Sequence, residues 1–276
     1  MAQKPVADAF TLELEPVVAD NLARYLETAD EWYAHDYVPF EQGRNFAFLG
    51  GDDWDPSQAT LPPEVVDALE VMLITKDNLA GYHRELVEHF ILEDKWGRWL
   101  GRWTAEENLH AIAIREYLVV TRNFDPAADE KVRVAHVMRG YRGDSYTQIE
   151  TLVFMALYER AHAVYLRNLE ARVTEPVLGK LVGRIAADEE RHEQFFSTLV
   201  AHCLEHHRDS TLSAIARRAF GFGVVGADII EYRETKLRTV ADCGVFNQAA
   251  ADRVVSDRIV AWGLAEEPLL AKYVLG

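Results

Sequence analysis

Two pairs of residues share one spacing: Glu107 with His110 in "AEENLH", and Glu189 with His192 in "DEERH". Three residues turn an α-helix by about 300°, so each glutamate leaves the same face as its histidine, about 5–6 Å away. Such a pair can grip an ion through a carboxylate oxygen and an imidazole nitrogen, donors suited to iron or manganese. A lone pair of this kind in a helix is ordinarily a solvent-facing one. Here there are two copies, each beside another acid and close to apolar residues. A third acid, Glu159, stands amid apolar residues in "FMALYERAHAVYL". Buried carboxylates without a cation are costly in lost hydration, and a metal removes that cost. Two such motifs on separate helices, with one glutamate from each of two more helices, make the di-iron carboxylate centre of ferritin-like bundles.

The elements that must position these residues are helical. Helical spacing of apolar residues runs from 17 to about 37, followed by a turn-rich loop from 38 to 60. Thr60 stands before "LPPE", whose prolines suit a first turn, opening a helix that runs towards His89. Gly97 separates it from a helix over about 98–121, and "NFDPAADE" breaks the chain again. Helices over roughly 146–173 and 174–206 follow, the second with Pro176 in its first turn, then shorter segments broken near Gly221–Gly226 and Gly244. No β-alternation of useful length appears. The expected fold is all-α: a ferritin-like four-helix bundle with additional flanking helices, read as one domain over 1–276.

Composition narrows the function. The chain has 276 residues, 49% of them hydrophobic and 27% charged, as in a globular protein. No run of 18 apolar residues is present, so an integral membrane protein is not expected. "MAQKPVADAF" lacks the basic start and apolar run of a signal peptide, and Cys203 and Cys243 show no metal-binding spacing. A reducing, cytoplasmic setting is therefore expected. The net charge of −16 argues against a nucleic-acid partner.

"RWTAEENLH", "YERA" and "IAADEERH" together resemble the soluble acyl-[acyl-carrier-protein] desaturases of plants and their actinobacterial, notably mycobacterial, relatives. The resemblance extends from about Trp32 to beyond His192. It implies a homodimeric all-helical protein with two irons. Such an enzyme inserts a double bond into an acyl chain on acyl carrier protein, using dioxygen and electrons from a ferredoxin. It also implies roles: Glu107 and Glu189 as metal-bridging catalytic ligands, His110 and His192 each on one metal, and Glu159 as a terminal ligand. Asp188 and Trp32 would orient His110, while Asp77 and Trp103 would orient His192.

The chain departs from that pattern where the first ligand helix should supply a terminal glutamate, because "LITKDNLAGYHREL" places Lys76 there. Asp77 is no substitute, since one helical step swings a side chain by about 100°. Exchanging Glu for Lys takes a four-glutamate site from −4 to −2, which balances one divalent ion rather than two. The expectation is one strong site at Glu159, Glu189 and His192, for iron or manganese, with Lys76 pairing to Glu107. A second departure is His162, three residues after Glu159, where the plant enzymes have threonine. It is a candidate extra ligand or proton donor, or simply a packed histidine. The cluster His202, His206 and His207 looks like a membrane-desaturase box, but a solvent-facing helix end explains it better. Lys131, Arg133, Arg139 and Arg142 form a basic stretch that could dock acyl carrier protein or be ordinary helix surface. Beside the desaturase, two other readings stay open: another di-iron oxygenase, and a weakly active or inactive desaturase-like protein that binds acyl carrier protein or a paralogue.

Overall fold

The computed structural model describes residues 7–140, 146–232 and 234–275. Arg142 of the basic stretch lies outside them. Four long helices carry the candidate ligands: α2 (Pro63–Asp77), α4 (Asp94–Val120), α6 (Gln148–Glu170) and α7 (Pro176–His206). Around them lie α1 (Ala9–Thr28), α3 (Leu79–His89), α5 (Pro126–Arg139), α8 (Arg208–Phe220), α9 (Lys236–Asp242) and α10 (Gln248–Ala261). No strand occurs among the described residues.

Local chemistry sets several of these boundaries. Thr147 and Glu150 form a reciprocal cap at the start of α6: the Glu150 carboxylate accepts from the Thr147 amide at 2.8 Å, and the Thr147 hydroxyl accepts from the Glu150 amide. Glu175 accepts from the amides of Val177 and Leu178, and Pro176 occupies the first turn of α7, where no amide hydrogen is needed. α6 and α7 are joined only by residues 171–175 and pack along one another.

Four boundaries differ from the sequence reading. α1 starts at Ala9 and runs through Pro16 instead of starting after it. Proline inside a helix leaves the carbonyl four residues back without its donor, and here Leu12 and Pro16 are both exposed, so water can serve that carbonyl. α1 also stops at Thr28, leaving Trp32 in the following loop. The helix expected from Thr60 to His89 breaks at Asn78, which turns the chain from α2 into α3. Gly97 falls within the first turn of α4, where a Cβ would stand 2.4 Å from the Leu92 carbonyl oxygen. Only glycine permits that approach.

The apolar core is packed around the same four helices. Trp96, Trp99 and Trp103 descend one side of α4 and are fully buried. Trp99 stacks on Phe195 of α7 at 3.5 Å between ring centroids.

Candidate metal centre

Glu107 of α4, Glu159 of α6, and Glu189 and His192 of α7 meet in the bundle interior, each with a donor atom within 4.8 Å of the others. All four are almost completely buried. His192 Nδ1, Glu159 Oε2 and Glu189 Oε2 make no hydrogen bond there. Buried polar atoms are normally satisfied, so donors that converge without hydrogen bonds suit a cation.

The charges agree with that need. Burial first, and then repulsion from Glu107 and Glu189, pushes the Glu159 carboxyl well above the usual carboxylate range. Burial opposes protonation of His192, but Glu106, Glu107 and Glu159 outweigh it and raise its pKa to about 10. Protons thus supply positive charge where a cation would bind.

Lys76 of α2 points inward and is itself buried. Its Nζ lies 2.9 and 2.7 Å from the two Glu107 carboxylate oxygens and 2.6 Å from Glu189 Oε1. Burial alone would discharge the ammonium, yet Glu107, Glu189 and Glu159 hold its pKa above the ordinary lysine range. His110 Nδ1 lies beside the same atoms, 2.9 Å from Glu189 Oε1 and 3.3 Å from Glu107 Oε1. An ion bound by His110 would need the space and the carboxylates that Lys76 already takes. Glu107, Glu159, Glu189 and His192 could together hold a divalent ion, and Lys76 stands beside His110 on the carboxylates of Glu107 and Glu189.

The partners of the two histidines follow a cross-over rule. His110 Nε2 lies 3.2 Å from Asp188 Oδ2, which also accepts from Trp32 Nε1 at 2.8 Å. His192 Nε2 lies 2.9 Å from Glu106 Oε2, which also accepts from the Tyr25 hydroxyl. The expected partners of His192 are elsewhere. Asp77 faces away and forms a two-pronged pair with Arg115 at 3.0 and 2.5 Å, as the one-residue helical step requires. Trp103 donates to Glu159 Oε1 at 2.9 Å. The sequence reading assigns Glu106 no role, although the repeat signals one: Glu106 immediately precedes Glu107 as Asp188 precedes Glu189.

His162 is fully buried, with Nδ1 3.4 Å from Glu189 Oε2 and its ring 3.9 Å from that of Tyr158. Burial and the Lys76 charge lower its pKa, favouring a neutral imidazole. It also lines a cavity of about 1170 Å³. Thr75, Tyr82 and Tyr158 lie with it at the buried end, while Arg217 and Phe220 mark the exposed end. His202 and His207 instead approach Glu13 at the end of α7. Arg133 pairs with Glu130, and Arg139 with Glu231, so both of these cations in the basic stretch are already matched.

The family described as fatty acid desaturase matches residues 8–268. The chain belongs to that family. Over its whole length it is 66% identical to the whole of DesA2 from Mycobacterium tuberculosis, provisionally named an acyl-[acyl-carrier-protein] desaturase. DesA1 of the same organism, named likewise, is 34% identical over 92% of this chain and 78% of its own. A rice chloroplast desaturase, acyl-[acyl-carrier-protein] desaturase 6, is 27% identical over 74% of this chain and 53% of its own. The crystal structure of the DesA2 desaturase superposes with a TM-score of 0.86, covering 97% of this chain and 100% of that one at 57% identity.

Proposed function

We propose that this desaturase-family chain acts on a fatty acyl group carried on acyl carrier protein, introducing a double bond during lipid biosynthesis, with one tightly held metal ion instead of two. The observation that carries this reading is the position of His162, which borders both the carboxylate cluster and the acyl-sized cavity. A chain lying in that cavity would pass its methylenes beside His162, whose Nδ1 is 3.4 Å from Glu189 Oε2.

Iron, or manganese in its place, would supply the redox chemistry with dioxygen when bound. Glu107, Glu159, Glu189 and His192 would hold it, and Glu106 would fix the imidazole of His192. His162 lies where it can touch a substrate or donate a proton towards Glu189. Tyr82, Phe154, Tyr158 and Ala161 offer the chain an apolar wall. A ferredoxin-type electron donor, a homodimeric assembly and a cytoplasmic location complete the proposal, with the whole chain acting as one ferritin-like domain.

Metal analysis combined with oxygen consumption on stearoyl-acyl carrier protein tests it. The expected result is about one metal per chain, retained on dialysis, and slow oxygen uptake that depends on the acyl substrate. Absence of both acyl-dependent uptake and a desaturated product would overturn the enzyme reading.

The Lys76 ion pairs favour a second reading. An ammonium bonded to both Glu107 and Glu189 disables half of a two-metal centre, so the same fold could serve as an acyl-carrier-binding partner of an active paralogue. Tight binding of the acyl carrier without oxygen uptake is its signature.

A further inference from the structure

α5 differs from every other α-helix among the described residues: it buries no apolar side chain. Its two buried residues, Asp129 and His136, are polar. Val132 is only partly buried against the core, and Val134 and Met138 are exposed. A lone helix of 14 residues is marginal in water, so α5 depends on what fastens it to the bundle.

Charge fastens it, at two points. Near its start Asp129 accepts from Arg115 of α4 at 3.4 Å, on a guanidinium already committed to Asp77. At its last residue Arg139 donates two hydrogen bonds to Glu231, at 2.5 and 2.8 Å, in the short turn Ile230–Tyr232. His136 adds little, for its buried Nε2 makes no hydrogen bond and lies 3.7 Å from Asp228, while burial favours the neutral imidazole. The two ends of α5 are not held alike. The start is fixed: Asp125 accepts from the amides of Ala127 and Ala128, Phe124 is buried, and the Asn123 side chain accepts from the amides of Thr60 and Leu61. The far end is a wall of the 1170 Å³ cavity, which His136, Arg139 and Gly140 line together with Asp228 and the residues before it.

We propose that α5 is a charge-latched side wall of the cavity, hinged near Asp125 and held shut by Arg139 on Glu231, which opens to admit an acyl chain broadside. A swing of about 15° over a helix roughly 20 Å long carries Arg139 about 5 Å, well beyond hydrogen-bonding distance. No apolar anchor has to leave the core for that movement. The latch itself is partly exposed, at 35% for the Arg139 side chain and 28% for that of Glu231, and so is weak and screened by salt. The inference rests on the proposal that the cavity holds an acyl chain, and it adds the route by which the chain enters.

Two measurements on the full chain test it, with Glu231→Gln as the main variant because Glu231 lies outside the cavity lining. The first is amide hydrogen exchange. Over 130–139 it should quicken about two- to five-fold in Glu231→Gln, as loss of a partly exposed ion pair implies, with α6 and α7 unchanged. The exchanged pair, Arg139→Glu with Glu231→Arg, should return α5 to its native rate. The second is stopped-flow binding of palmitoyl-pantetheine, an uncharged thioester that no change of surface charge can steer. Its association and dissociation should quicken together in Glu231→Gln, leaving Kd near the native value. A circular-dichroism melt checks that each variant is folded. Native exchange over α5 in Glu231→Gln, or an exchanged pair that stays fast, would overturn the latch. Faster exchange with unchanged thioester kinetics would overturn the entry route, and faster dissociation alone would instead make the pair a contact of the bound chain. Failure of the thioester to bind the native chain would reject the acyl cavity and its entry route together, whereas failure of the kinetic prediction alone leaves the acyl cavity intact.

Discussion

His192 and Glu106 face each other across the bundle, with Nε2 and Oε2 2.9 Å apart, and the Tyr25 hydroxyl closes on the same oxygen. His110 and Asp188 repeat the relation with Trp32 in the place of Tyr25. Each motif's leading acid thus steadies the other motif's histidine. Even the outer supports match, because Arg102 reaches Glu106 and Arg184 reaches Asp188, both one helical turn away.

Glu106→Gln should therefore weaken metal binding without removing a ligand. The expected loss is about 10–100-fold, the usual effect of freeing a ligand histidine. Asp188→Asn should cost less, since it acts on His110, outside the four-donor group. Metal titration of both variants checks the order. Equal affinities for Glu106→Gln and the native chain would show that His192 does not depend on Glu106.

Glu189→Ala and His192→Ala should each abolish most of the bound metal, as each deletes a donor from the group that converges among the described residues. Elemental analysis after desalting gives the content directly. Native stoichiometry in both variants would remove the metal centre from this position.

Much of this architecture is legible in the chain itself. Glu107, His110, Glu189 and His192 announce themselves by spacing, because a period of three on a helix has an immediate geometric meaning. Glu159 is visible as an acid among apolar neighbours. The Asn78 break is harder to see, since apolar spacing continues across it and only the backbone turn reveals the change of axis. The role of Glu106 depends on a contact 86 residues away in sequence, and no local pattern states it. The repeat of adjacent acids does hint at it. Asp77 misled for a physical reason: the residue that resembles a familiar partner points towards Arg115, on the other side of α2 from Lys76.

Lys76→Glu exchanges the buried ammonium for a carboxylate among Glu107, Glu159 and Glu189. Without metal the variant should be less stable by roughly 3 kcal/mol or more, the cost of breaking a buried ion pair and adding like charge. With iron it should take up a second ion and show a larger metal-dependent rise in Tm than the native chain. Identical stoichiometry and identical rises would contradict the role assigned to Lys76.

Asp129 predicts a pH effect far from the metal. Burial, reinforced by Glu70 and Asp77 and opposed by Arg115, raises its pKa to about 6 from 3.8. The unfolded chain releases this proton first, so between about pH 4 and 6 the folded state binds more protons and stability falls as pH rises. The total effect is at most about 3 kcal/mol. Asp129→Asn should flatten that decline and be the more stable protein at pH 8. Urea melts at pH 4 and pH 8 measure the difference, and parallel losses in both proteins would exclude Asp129 as the cause.

The short connection between α6 and α7 also sets a history for the centre. Residues 171–175 close the hairpin over little chain, so Glu159 can meet Glu189 and His192 at small entropic cost. Lys76 must arrive from 113 residues away in sequence. Contacts between near neighbours form sooner than those between distant ones. Glu159, Glu189 and His192 therefore gather before Lys76, already beside Glu107 only 31 residues away, reaches Glu189, and for that interval a divalent ion at those three donors meets no ammonium. Refolding in the presence of Mn(II) should load the chain more fully than adding Mn(II) to the finished fold, and equal loading by the two routes would place the arrival of Lys76 first.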